Sequence, residues 1–239
     1  MLRPIHIGAL TSATVLFTLH TMAQTSLGVK AGPNLSSLTL SYTTPGGTGL
    51  NNTPPPDIKA TGGGWHVGGY FNTTGGSFAG LIFEVQYSRR LGSMAYDYTV
   101  SESGVDHRYV GRVEYEFKYI ELPLLLCVRP IDRLSIHAGA AVALLRSGHV
   151  QDWGERSSSA GQVSGYTPRY GRTDSVEELN RTSVELVLGG TVKVVDELLL
   201  GARYLMDLND LHPSSGTTAK SSMWQFSLCY EVAGAKKQE

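Results

Sequence analysis

Beyond its first two dozen residues the chain has no long apolar run, and its mean hydropathy is close to zero at -0.10. That excludes helical membrane spans, each of which needs about 20 apolar residues. Cysteine is scarce as well: Cys127 and Cys229 are the only two in 239 residues, so disulfides do not define the fold. Two readings of them stay open, a pair of reduced small residues in strands and a bridge across an interior. An excess of one charge sign is also missing. With 20 basic against 21 acidic residues, no field exists to hold nucleic acid, which is not expected as a partner. No phosphate loop, zinc-ligand spacing or nucleophile elbow occurs, and His66, His107, His137, His149 and His212 share no spacing. The expectation is a non-enzyme without catalytic, cofactor-binding or metal-binding residues. None of these absences excludes a membrane barrel, whose strands are apolar only at every second residue.

What is present starts with Arg3 and His6 ahead of an apolar stretch from Ile7 to Leu19, followed by Thr21 and Ala23. This reads as a secretory signal peptide over residues 1–23. It is too short to span a bilayer, and no cysteine follows Ala23 to accept a lipid. Residues 24–239 then form one all-β domain.

Period-2 alternation recurs along that domain. Eight segments stand out, approximately Ser26 to Leu38, Gly64 to Asn72, Ser77 to Arg90, Glu114 to Val128, Arg133 to Arg146, Arg181 to Val194, Glu197 to Asp207 and Ser222 to Val232. Each is near the roughly 9–11 residues that a tilted strand needs to cross a bilayer. Their links alternate strictly. Thr73 to Gly76, Arg129 to Asp132 and Val195-Asp196 are tight turns, whereas 39–63, 91–113, 147–180 and 208–221 are long and rich in Gly, Pro, Ser, Thr and Asn. Such alternation gathers the long loops at one end and the tight turns, with both termini, at the other. The expected architecture is an eight-stranded antiparallel up-and-down transmembrane β-barrel of the outer membrane, its long loops outside. An even strand number closes the sheet and removes the edges that lipid cannot satisfy.

Within each strand the two faces separate by chemistry. In the third, Ala79, Leu81, Phe83, Val85 and Tyr87 oppose Gly80, Ile82, Glu84, Gln86 and Ser88. In the fourth, Ile120, Leu122, Leu124 and Leu126 oppose Tyr119, Glu121, Pro123 and Cys127. Alternation alone also permits a soluble lipocalin-like cup with its apolar set inside, and Gly63-Gly64-Trp65 matches a lipocalin-type Gly-x-Trp. The small charged polar set suits a narrow packed interior better, and the apolar set is read as facing lipid. Aromatics of that set divide between two interfacial girdles, Tyr87, Tyr204 and Trp224 near the loop end, Phe71 and Tyr230 near the turn end. Arg89 and Lys118 share the outward parity at the loop end, where two readings stay open, contact with lipid phosphates and a plain solvated rim.

The segments Leu27 to Asn34, Tyr119 to Leu126 and Leu199 to Tyr204 resemble the PorT-like outer-membrane β-barrel family of Bacteroidetes. Members open on Gly-x-Lys-x-Gly-x-Asn, here Gly28, Lys30, Gly32 and Asn34. They carry Tyr-x-Glu-x-Pro, here Tyr119, Glu121 and Pro123, and a late Gly-x-Arg-Tyr, here Gly201, Arg203 and Tyr204. The resemblance implies an eight-stranded outer-membrane barrel in a functionally mixed family whose founding type is linked to protein secretion.

Parity points Lys30, Glu84, Glu121, Glu185 and Arg203 inward, and a lumen this narrow is filled by side chains. A charge there must be paired, so Arg203 and Lys30 are expected to neutralise Glu84 and Glu121 and to plug the barrel. His137 is expected to be an inward, hydrogen-bonded structural residue. Function then falls to the loops, the third of which carries Asp152, Trp153, Glu155, Tyr166 and Tyr170. The partners expected are outer-membrane lipid and lipopolysaccharide, and other envelope proteins met through the external loops. A small pore for ions or solutes and a soluble ligand carrier remain as alternatives.

Overall fold

Extended chain forms wherever the sequence alternates, because successive side chains of a strand leave opposite faces and each face then meets one environment. The computed structural model describes residues 25–42, 58–73, 78–102, 105–158, 163–164, 180–211 and 217–234. The expected signal peptide, 1–23, and Tyr166, Tyr170 and His212 lie outside them. The strands are β1 (Ser26–Tyr42), β2 (Ile58–Asn72), β3 (Ala79–Glu102), β4 (Val105–Ile131), β5 (Leu134–Ser158), β6 (Val163–Ser164), β7 (Thr182–Lys193), β8 (Leu198–Asp207) and β9 (Thr217–Gly234). β6 is a two-residue ribbon on the outer part of β5. The other eight pair antiparallel in a closed ring, β1-β2-β3-β4-β5-β7-β8-β9, with β9 returning to β1.

Crossing the ring from partner to partner, Ser26 leads through Asn72, Ile82, Leu125, Gly139, Val187, Leu205 and Met223 back to β1 at Ser36. The path therefore closes ten residues beyond its start. A stagger of that size on eight strands belongs to tilts of roughly 35–45° and an interior just wide enough for side chains.

Burial separates the two faces. Leu126, Ile136, Leu188 and Leu228 are about half exposed on the outside, whereas Glu121 and Glu185 are fully buried. The apolar set thus points out and the charged set in, which removes the lipocalin-like alternative. Room for long polar side chains comes from small neighbours such as Gly139, Ala141 and Ala143 on β5. Gly28 has a sharper purpose, since a Cβ there would sit 2.3 Å from the Tyr70 ring.

Strand length is where the structure departs from expectation. The stretches 91–113 and 147–158, read as loop, are largely strand: β3 and β4 stay paired out to Glu102 and Val105, and β4 and β5 out to His107 and Ser158. From Leu91 to Glu102 this adds about 40 Å of strand beyond the barrel at roughly 3.3 Å per residue. Outside the bilayer neither face must be apolar, so the extension lacks the alternation by which strands were recognised. Among the described residues β5 beyond Leu144 is met on its outer edge by the Arg181 carbonyl, which accepts from the Leu145 amide at 2.8 Å, and then only at Arg156 and Ser157, through β6.

Candidate functional site

The lumen holds two ion clusters, one above the other along β3. Nearer the turn end, Glu84 Oε2 accepts from Lys30 Nζ at 2.5 Å and from Arg203 Nη1 at 2.7 Å. Arg203 Nη2 lies 3.2 Å from His137 Nδ1, so the ring nitrogen accepts from the guanidinium. Six residues further along β3, Arg90 Nη2 reaches Glu121 Oε1 at 2.6 Å and Glu185 Oε1 at 2.5 Å. The guanidinium carbon stands 4.4 Å from the centre of the Tyr119 ring, a cation–π contact. Gln86 Nε2 donates to the second oxygen of Glu121. Asp207 completes this cluster, accepting from Ser183 Oγ at 3.0 Å and the Ser221 amide at 3.1 Å.

Lys30, Glu84, Glu121, Glu185 and Arg203 therefore all face the lumen, but the pairing differs from the expected one. Glu121 is held by Arg90 rather than by Arg203 or Lys30. Arg90 lay at the end of the expected third strand, and its even-number parity with Glu84 and Gln86 was the available signal. Its reach to Glu185 on β7, across the lumen, depends on the stagger of the ring. Buried charges are tolerated here because each touches a partner; an unpaired one would carry a desolvation penalty of several kcal/mol.

A third polar group was not legible from spacing. His66 Nε2 lies 2.8 Å from Ser227 Oγ, and His66 Nδ1 lies 2.7 Å from Asn34 Oδ1. Base, hydroxyl and orienting group stand in the order of a nucleophilic relay. All three are buried, however, and a small cavity in the lumen, about 20 Å³ in volume, is lined by other residues, among them Lys30, Tyr70, Glu84, His137 and Arg203. The arrangement instead ties β1, β2 and β9 together.

Apolar side chains close the network at both ends. Leu38, Tyr115, Phe117, Tyr119, Leu145 and Leu211 pack above it, with the Tyr115 and Phe117 rings stacked at 5.2 Å. Tyr70, Ile82, Leu125, Cys127 and Cys229 belong to the cluster toward the turn end. Both cysteines are buried thiols there, without the bridge that was one of the two readings. On the outer face stand the five aromatics expected to form the girdles. Tyr204 and Trp224 pack at 5.2 Å between centroids and Tyr87 packs on Trp65 at 5.5 Å, while Phe71 and Tyr230 lie exposed toward the turn end.

The model of the family described as "Outer membrane protein beta-barrel domain" matches residues 14–212. No curated protein matches the sequence. Among solved structures, Ail, the attachment invasion locus protein of Yersinia pestis, is 15% identical over 88% of this chain and 100% of its own, with a TM-score of 0.39. Neisserial surface protein A is 11% identical over 87% and 99%, at 0.39. OprG of Pseudomonas aeruginosa is 10% identical over 88% and 96%, at 0.37.

Proposed function

The chain belongs to the outer-membrane protein β-barrel domain family, and from that premise we propose that it is a closed, non-enzymatic barrel that works through the sheet it raises above the membrane. The observation that carries this reading is the filled lumen. Tyr119, Lys30, Leu125, Met223, His66 and Glu121 are among its fully buried side chains, and a cavity of about 20 Å³ holds little more than one water. With transport unsupported, activity moves to the surface outside the bilayer. There β3, β4 and β5 form a projecting sheet whose edge on β5 is mostly unpaired among the described residues. Exposed strand edges and charged sheet faces are surfaces that other envelope proteins can dock on.

In this reading residues 1–23 direct export and the long loops face outward. The Gly28-Lys30-Gly32-Asn34, Tyr119-Glu121-Pro123 and Gly201-Arg203-Tyr204 motifs favour the PorT-like branch of Bacteroidetes, and with it an accessory role in protein secretion. Reconstitution in planar bilayers is the direct test of the closed barrel: no steady conductance is expected, and reproducible single-channel steps would overturn it. Photo-crosslinking from Glu155 and Arg108 in intact outer membranes tests the sheet. Adducts are expected from these positions and not from Asp132 in the opposite turn; equal labelling from both ends would remove the sheet as the working surface.

A further inference from the structure

On its outer face the barrel's apolar band ends differently in different sectors. Moving toward the loop end, Tyr87 on β3 is followed by Arg89, Ile120 on β4 by Lys118, and Leu144 on β5 by Arg146. On β1, β2, β7 and β9 the residues that follow Leu35, Trp65, Val184 and Trp224 on the same face are Ser37, Gly63, Thr182 and Ser222. On β8 Leu208 follows Met206. The first outward residue beyond the apolar band is thus a cation on every strand of the first sector and on none of the second, where Lys59 and Lys220 stand farther out.

The three cations adjoin one another. Arg89 and Lys118 are cross-strand partners. Lys118 pairs with Ser147 and Tyr119 with Leu145, which makes Arg146 the extra residue of a bulge beside Lys118. One acid serves two of them: Glu116 Oε1 accepts from Arg89 Nε at 2.9 Å and from Lys118 Nζ at 3.2 Å. The row therefore keeps a net positive charge. Among the described residues Arg89 commits only its Nε, which leaves the terminal guanidinium nitrogens for a bidentate oxyanion. Directly below, the packed rings of Trp65 and Tyr87 lie at the depth where amphipathic aromatics meet headgroups.

We propose that this arc binds the phosphates of lipid A, the diphosphorylated sugar anchor of lipopolysaccharide, and fixes one such molecule on the β3–β5 side of the barrel. Strands about 4.8 Å apart spread the three cations over the width of a disaccharide headgroup. A lipid with a phosphate at each end of its headgroup engages both ends of the arc; a single-phosphate lipid engages one. The inference goes beyond the closed-barrel reading and does not depend on it, since a conducting barrel would carry the same arc.

The test uses the full chain in phosphatidylcholine nanodiscs doped with lipid A and read by native mass spectrometry. One retained lipid A per barrel is expected, with dephosphorylated lipid A lost. The triple variant Arg89→Gln, Lys118→Gln, Arg146→Gln is expected to weaken retention by about tenfold or more, given the attraction of each boundary cation to anionic headgroups. Lys59→Gln with Lys220→Gln, on the other sector, is expected to change nothing. Equal retention of phosphorylated and dephosphorylated lipid A overturns the proposal and needs no variant, so a triple mutant that fails to fold does not shelter it. Equal retention by a folded triple mutant also overturns it, as does displacement by an equal mole fraction of phosphatidylglycerol or by inorganic phosphate.

Discussion

Arg90 and Arg108 each hold carboxylates at hydrogen-bond distance, one inside the barrel and one on the sheet above it. Arg90 reaches Glu121 and Glu185 at 2.6 and 2.5 Å with all three side chains at most 3% exposed. Arg108 grips Asp97 with two bonds of 2.9 and 2.6 Å, yet both side chains are more than half exposed. The distances are alike, but the consequences of breaking them are not. Water replaces a lost partner on the sheet, and nothing replaces one in the lumen. Buried pairs therefore constrain which strands must close against each other, while exposed pairs only tidy a surface.

The comparison breaks most visibly at Arg90. Arg90→Met leaves Glu121 and Glu185 buried without their cation, and a loss of about 3–5 kcal/mol is expected, read as a lower urea midpoint or lost heat-modifiable migration. Adding Glu121→Gln and Glu185→Gln is expected to recover most of it. Arg203→Ala should be milder, about 2 kcal/mol, because Lys30 still holds Glu84. Unchanged heat resistance in detergent for Arg203→Ala would remove the lower cluster from the account of stability.

The smallest effect is expected on the sheet. The Arg108 guanidinium bonded to Asp97 holds that carboxyl below its ordinary value. A carboxyl lowered in the folded state contributes stability above its unfolded pKa of about 3.9, and that contribution disappears as pH falls through the folded value. Amide shifts of Tyr96 to Thr99 are expected to move in the acid range below about pH 4 in the native chain and to stay flat in Asp97→Asn. The global unfolding midpoint should be the same in both. A midpoint that follows Asp97 would erase the distinction between the two regions.

Much of the fold was legible because a barrel in lipid writes its geometry into alternation. Leu122, Leu124 and Leu126 against Glu121, Pro123 and Cys127 state both the strand and its faces, and short-long alternation of links orders the strands. The reading failed at 91–113, where Asp97, Arg108 and Arg112 project into water from paired strands. Without lipid on one face the apolar signal disappears while the hydrogen-bonded ladder continues. The inward set at the candidate site was legible by the same parity. Its pairing was not, since Arg90 reaches across to a carboxylate that lies 95 positions later in the chain.

By itself, then, the sequence determined an all-β chain of eight spanning segments, which residues face lipid, and that the interior is polar and charged. Those follow from periodicity, a local property of the chain. Only the tertiary structure decided that Arg90 rather than Arg203 neutralises Glu121, that His66 joins Asn34 to Ser227, and that Arg89, Lys118 and Arg146 form one arc. Each depends on register and on the ten-residue stagger with which the ring closes, quantities set jointly by all eight strands and carried by none of them alone.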